Sequence, residues 1–478
     1  MSVLPSDPQL EGLTKKNQGE EGKKKVLKRF VKRFGKGYLP QQAMEPSQGV
    51  LTRARLKAAV AAAELARLDI PLSIATCMAE SRFGEAVGCL VLLSRAFYSD
   101  TQLWGALKEH QGPLGRTRLM YAAREGNVAR ARFLLDRGAR MDVCTQWDVK
   151  RQKSCGTALM FASRAGHLDV ARLLLERGAN VSAARTGDGK TALMLVSEYG
   201  HLEIAQLLVE EGANVNAART NDGFTALMWA SQRGHQEIAQ LLIEGGANVN
   251  AAMTADGCTA LMVASFKGHL MIVQLLVKGG VNVNAACTDD GTTALMLASQ
   301  EGHLEIAQLL IEEGANVNAA CTDDGNTASM IASEFGHLDV ARLLIEGGAN
   351  VNAACTDDGF TALMWASEKG HLEIAQLLVK EGANVNAART DTESAALMWA
   401  IQEGHLEIAQ LLVEWGANVN AARTDTGCTA LMLASRKGHL EIVRLLLTSG
   451  ADKAALTHAG RTAHSLCAAH PAIRALLA

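Results

Sequence analysis

Gly223 to Asp256 reads GFTALMWASQRGHQEIAQLLIEGGANVNAAMTAD. Thr225 can accept a hydrogen bond from an early backbone N–H, so it caps a helix whose apolar side is Leu227, Met228 and Ala230. Gly234 ends that helix, because glycine tolerates the left-handed conformation of a tight reversal. His235 and Glu237 open a second helix, where a carboxylate in the first turn suits the helix dipole. Ile238, Leu241 and Leu242 stand at i, i+3 and i+4, one apolar stripe. Gly246 stops this helix, and Asn248 to Asn250 lead into a polar turn closed by Asp256 and Gly257. Two helices this short are marginal alone and need neighbours.

The chain supplies those neighbours. Glycines equivalent to Gly234 recur at Gly166, Gly200, Gly268, Gly302, Gly336, Gly370, Gly404 and Gly438, every step being 34 residues. A fixed period of this length means one supersecondary unit stacked on its copies, with a core made of nearest-neighbour contacts. The position of Ala230 is small in each copy, Val196 being the largest, so the helices can approach closely. The expected fold is all-α, a solenoid of helix-turn-helix units joined by hairpin loops.

Composition limits the function classes. The 478 residues carry a net charge of −3 and 4% aromatics. Residues 1–40 hold ten Lys/Arg against four Asp/Glu, which is +6 and leaves −9 for the rest. That balance gives no general case for specific nucleic-acid binding. Ten cysteines show no disulfide-framework spacing, no secretory leader is read, and no apolar run approaches the ~20 residues of a membrane span. A reducing setting, cytoplasmic or nuclear, is expected. No nucleophile elbow, phosphate loop, kinase signature or metal-ligand set is present, so a monomeric, non-enzymatic protein without cofactor is expected.

The repeated residues resemble the ankyrin repeat, whose pattern G-x-T-P-L-H-x-A-A-x-x-G-H-x-x-I-V-x-L-L-L-x-x-G-A-x-x-N lies over most copies without gaps. Eleven copies start near Thr117, Thr157, Thr191, Thr225, Thr259, Thr293, Thr327, Thr361, Ala395, Thr429 and Thr462, so the resemblance covers residues 115–478. Ala stands where the family has Pro, and Met194, Met228, Met262 and Met296 stand where it has His. Apolar methionine packing is expected in place of the family's Thr–His hydrogen bonding. The first junction is longer, 40 residues from Thr117 to Thr157, and its insertion contains Trp147. The last copy, with His464 and Ser465, reads as a terminal cap.

Function is sought where the copies differ. One variable column heads each loop (Arg185, Arg219, Met253, Cys287, Cys321, Cys355, Arg389, Arg423), and another follows the turn glycine (Lys190, Phe224, Cys258, Thr292, Asn326, Phe360, Ser394, Cys428). A third lies in the first helix, with Trp229, Trp365 and Trp399. A fourth closes that helix, with Tyr199, Arg233, Phe266, Lys267, Phe335 and Lys369. The resemblance implies that these positions line a concave face that binds another protein. Aromatic and arginine side chains dominate such hot spots. The expected contact residues are therefore Arg185, Tyr199, Arg219, Phe224, Trp229, Arg233, Phe266, Lys267, Phe335, Phe360, Trp365, Lys369, Arg389, Trp399 and Arg423, with the three tryptophans as anchors.

Three recurring features invite chemistry. Cys287, Cys321 and Cys355 form a ladder one repeat apart, ~8–10 Å, too far for disulfides, and read as neutral surface thiols. The Asp289-Asp290, Asp323-Asp324 and Asp357-Asp358 tips are ordinary turn residues, and make an acidic row interrupted at both ends by arginines. A partner with a basic middle fits that row. The histidine after each glycine, such as His235, reads as a local helix cap.

Residues 1–45 read as a disordered basic tail, within which 23–36 can form a basic amphipathic helix suited to an anionic membrane surface or acidic partner. Residues 46–114 read as a helical segment capping the array. Within 68–107, Leu92-Leu93-Ser94-Arg95-Ala96-Phe97-Tyr98 and Leu103-Trp104 resemble the end of an F-box. That resemblance implies an alternative function, a substrate-recognition subunit docked on a ubiquitin-ligase adaptor.

Overall fold

The computed structural model describes residues 117–144 and 156–478. The basic tail, the F-box-like segment and most of the first-junction insertion, including Trp147, lie outside the described residues.

Among the described residues, twenty-two helices run in eleven antiparallel pairs from Arg118 to Leu477. The first helices pack on one another in one layer and the second helices in another, so each repeat touches chiefly its neighbours. Among the described residues, eight isolated antiparallel bridges, such as Ala252 to Thr259, close a hairpin between successive repeats; we call these hairpins fingers. No strand longer than a bridge is found among the described residues. The array is the expected solenoid.

Each element forms for local reasons. In repeat 4 the first helix is Ala226–Arg233, and Thr225 Oγ1 accepts from Met228 N at 3.3 Å. Met228 Sδ in turn accepts from Thr225 N at 3.4 Å, which closes a reciprocal cap. The methionines therefore do more than the apolar packing expected of them: a soft thioether takes the acceptor role at N3. Repeat 9 departs, since Ala395 has no side-chain cap. In the second helix of repeat 4, Gln236–Glu244, Ile238, Ala239 and Leu242 are buried, while Leu241 is half-buried.

The histidines do not cap. His201, His235, His269 and their equivalents make no side-chain bond to their own helix. Their rings reach the preceding repeat instead, where Nε2 of His371 meets the Glu334 carbonyl at 3.2 Å and Nε2 of His337 meets that of Gln300 at 2.9 Å. Gly336 must be glycine for this, because its φ is +83° and a Cβ there would stand 2.5 Å from the His371 ring.

A second staple runs along the polar turns. Asn250 Oδ1 accepts from Asn282 N at 2.7 Å, and Asn284 Oδ1 accepts from Asn316 N at 2.7 Å. Asn216 Nδ2 donates to the Gly246 carbonyl at 3.0 Å, one repeat onward. Fingers are joined too, with Thr254 N donating to Asp222 O at 3.0 Å and Thr288 N to Asp256 O at 2.7 Å. The residues that recur are thus committed to inter-repeat bonds. No helix among the described residues is long and apolar enough to cross a membrane.

Candidate protein-binding surface

The variable columns divide into those that face a neighbour and those that reach solvent. At the three steps from Thr292 to Phe360, the residue after the turn glycine meets the residue heading the next finger. Asn326 Oδ1 accepts from the Cys355 thiol at 3.2 Å, Thr292 Oγ1 lies 3.9 Å from Cys321 Sγ, and Arg389 lies 5.8 Å from the Phe360 ring centre. Variation in these two columns is therefore partly pairwise packing between fingers, which no single column of the sequence displays.

Phe224 and Phe360 sit below the surface, at 4% and 3% exposure. Each is the floor for a tryptophan. Phe224 and Trp229 stand with ring centres 4.7 Å apart at 51°, and Phe360 and Trp365 at 4.4 Å and 50°. Trp399 leans on Phe360 from the other side at 5.3 Å and 60°. All three indoles are half-buried. The Nε1 atoms of Trp229 and Trp399 are buried without an acceptor, so the exposed part of each ring is hydrocarbon.

Cations crowd these rings. Lys190 Nζ lies 4.0 Å from the Trp229 ring centre, Lys369 Nζ 5.7 Å from that of Trp365, and Arg389 5.7 Å from that of Trp399. Lys190 stands in a variable column but was not among the expected contact residues; it is buried and ion-paired with Glu198, which also meets Arg233 at 3.6 Å. Burial holds the Lys190 ammonium below its ordinary range, with Glu198 opposing that shift. Only the contact with a tryptophan in the next repeat reveals its place.

The loop arginines are largely neutralised within their own fingers. Arg185 pairs with Asp188, Arg219 with Asp222 at 2.8 Å, Arg389 with Asp391 at 2.7 Å and Arg423 with Asp425 at 2.8 Å, while Arg389 also meets Asp358 of the preceding finger at 3.2 Å. The fingers headed by Cys287 and Cys321 contain no arginine. There Asp323 is held above its ordinary carboxylate range by burial, and then by repulsion from Asp324 and Asp290. Tyr199 and Phe335 are exposed at 39% and 45%, whereas Phe266 is half-buried under Lys267.

The ladder cysteines are not surface thiols. Cys287 and Cys355 are buried, and Cys321 is half-buried. The Cys287 thiol donates to Met262 sulfur at 3.6 Å and the Cys321 thiol to Met296 sulfur at 3.7 Å. Burial and neighbouring aspartates push Cys321 and Cys355 up to about 12, so both are neutral. Cys287, Asp289 and Asp290 place ligand atoms within 4.8 Å of one another, as do Cys321, Asp323 and Asp324.

Trp415, at 53% exposure, closes the second helix of repeat 9 and lies outside the variable columns read from the sequence.

No curated protein matches the chain significantly. A family model described as ankyrin repeats (3 copies) matches five successive stretches, 101–185, 180–253, 248–321, 319–389 and 387–457. With paired helices, finger hairpins and a model match over most of its length, the chain belongs to the ankyrin-repeat family, a module for protein–protein interaction.

Proposed function

We propose that the protein is a non-enzymatic scaffold that holds a partner polypeptide along the first-helix layer and the fingers. The observation that carries this reading is the doubled aromatic device. Trp229 on Phe224 and Trp365 on Phe360 have the same geometry four repeats apart, and the exposed rings of Tyr199 and Phe335 repeat at the same interval. Four repeats at 8–10 Å span roughly 32–40 Å. An extended segment covers that distance in about 10–12 residues.

Between the two devices the inner positions are Val263, Leu297 and Ile331, and the tips are aspartates without an arginine in the finger. A partner segment with two apolar anchors flanking a basic stretch complements that order. Binding to such a segment weakens as salt rises, since the tips are exposed enough to be screened. A reducing compartment, cytosolic or nuclear, suits the seven free cysteines among the described residues.

Selection of 20-residue peptides from a displayed random library against the whole chain tests the reading. Enriched peptides should carry two apolar positions about 10–12 residues apart with Lys or Arg between them, and should bind Trp229→Ala and Trp365→Ala variants more weakly. Enrichment of peptides indifferent to both substitutions would remove the surface from consideration.

A further inference from the structure

The pairing of neighbouring fingers puts two cysteines face to face at one step of the array. Cys258 follows the turn glycine of one finger and Cys287 heads the next, and their Sγ atoms are 2.8 Å apart. That is well inside van der Waals contact of two sulfurs and not far outside a disulfide bond of about 2.05 Å. Both side chains are buried, at 1% and 6% exposure. The fingers that carry them are already tied by Thr288 N donating to Asp256 O at 2.7 Å, so the thiols meet at a fixed backbone junction. The following steps are internal controls. Cys321 faces the Thr292 hydroxyl at 3.9 Å and Cys355 faces the Asn326 carbonyl oxygen at 3.2 Å, with no second thiol in either place.

We propose that Cys258 and Cys287 form a site of reversible oxidation, taking a peroxide as the oxidising substrate and closing to a disulfide that joins the two fingers. Cys287 is the more exposed thiol and reacts first. Its thiolate attacks one peroxide oxygen, the O–O bond breaks, and a sulfenic acid forms while hydroxide leaves and is protonated to water. Cys258, as thiolate, then attacks that sulfur; the S–S bond forms, the S–O bond breaks, and a second water departs. Two thiols lose two protons and two electrons, and hydrogen peroxide is reduced to two waters. Asp289 and Asp290 stand close to Cys287, with ligand atoms within 4.8 Å of one another. The bond would fasten the fingers at the arginine-free centre of the surface, where the proposed partner's basic stretch would lie.

The test is peroxide treatment of the whole folded chain, acid quenching, alkylation with N-ethylmaleimide and non-reducing peptide mapping. The expected product is a Cys258–Cys287 cross-linked peptide, lost on reduction with dithiothreitol, absent from Cys258→Ser and Cys287→Ser variants, and retained in Cys321→Ser. Circular dichroism of each variant establishes that the array is intact. The proposal is overturned if both thiols remain alkylatable after unfolding of peroxide-treated protein, if Cys287 is recovered linked to another cysteine, or if both are protected until a chelator is added. The result is independent of partner binding, so the peptide selection above can fail while this site stands, and the reverse.

Discussion

The ring of His371 donates its Nε2–H to the backbone carbonyl of Glu334 in the preceding repeat, 3.2 Å away. The carbonyl can only accept, which fixes the proton on Nε2. The same bond joins His167 to Arg124 at 3.0 Å and His405 to Glu368 at 3.3 Å, so it is one link in a chain of staples. Replacing His371 with alanine should cost about 0.5–1.5 kcal/mol, read as a lower urea midpoint. An unchanged midpoint would show that the ring contributes nothing to stacking.

Acid should loosen these staples. Burial, the largest cause, lowers the pKa of His235 and His269 below the ordinary histidine value. The folded state then resists protonation more than the unfolded chain, so stability is present above the unfolded pKa of about 6.5 and is lost as pH falls through the folded value. Thermal unfolding should move to lower temperature between about pH 7 and pH 5. The shift should shrink in a His235→Gln, His269→Gln double variant.

The second-helix leucines are not equivalent. Leu310 is fully buried, whereas Leu309 is half-buried. Leu310→Ala should cost ~2–5 kcal/mol, as for a large-to-small change in a tight core, and Leu309→Ala clearly less. Chemical denaturation of both variants checks this, and equal losses would contradict the burial pattern.

Thiol chemistry offers a fourth check. Cys321 and Cys355 are held up at about 12 by burial and the finger aspartates. In the folded protein at neutral pH both should resist iodoacetamide, and react only when urea opens the fingers. Rapid native alkylation of either would mean that the fingers are far more open than the hydrogen bonds imply.

The sequence period carried the helix pairs, the hairpins and the buried Ile238 and Leu242, because regular spacing and one-sided burial are the same fact. It did not carry the role of His235, since a bond to a carbonyl some 37 residues back, as in His371 to Glu334, has no local signature. Nor did it reveal that Met228 completes a cap, because thioether acceptors follow no strong positional rule. Cys287 looked like a surface thiol while each column was read alone. Its neighbour Cys258 belongs to another column, and only the finger-to-finger register brings the two together. Phe224 and Phe360 were read as contact residues for the same reason, although each supports a tryptophan from beneath.

The division between holding neighbours and recognising a partner comes down to a comparison of Trp365→Ala with His371→Ala. For a library-selected peptide, the Kd measured by fluorescence anisotropy should rise about tenfold or more in Trp365→Ala, as at a binding hot spot, with helicity retained. It should stay at the wild-type value in His371→Ala, whose urea midpoint alone should drop. Unaltered affinity in Trp365→Ala, or affinity lost in a fully folded His371→Ala, would contradict the division.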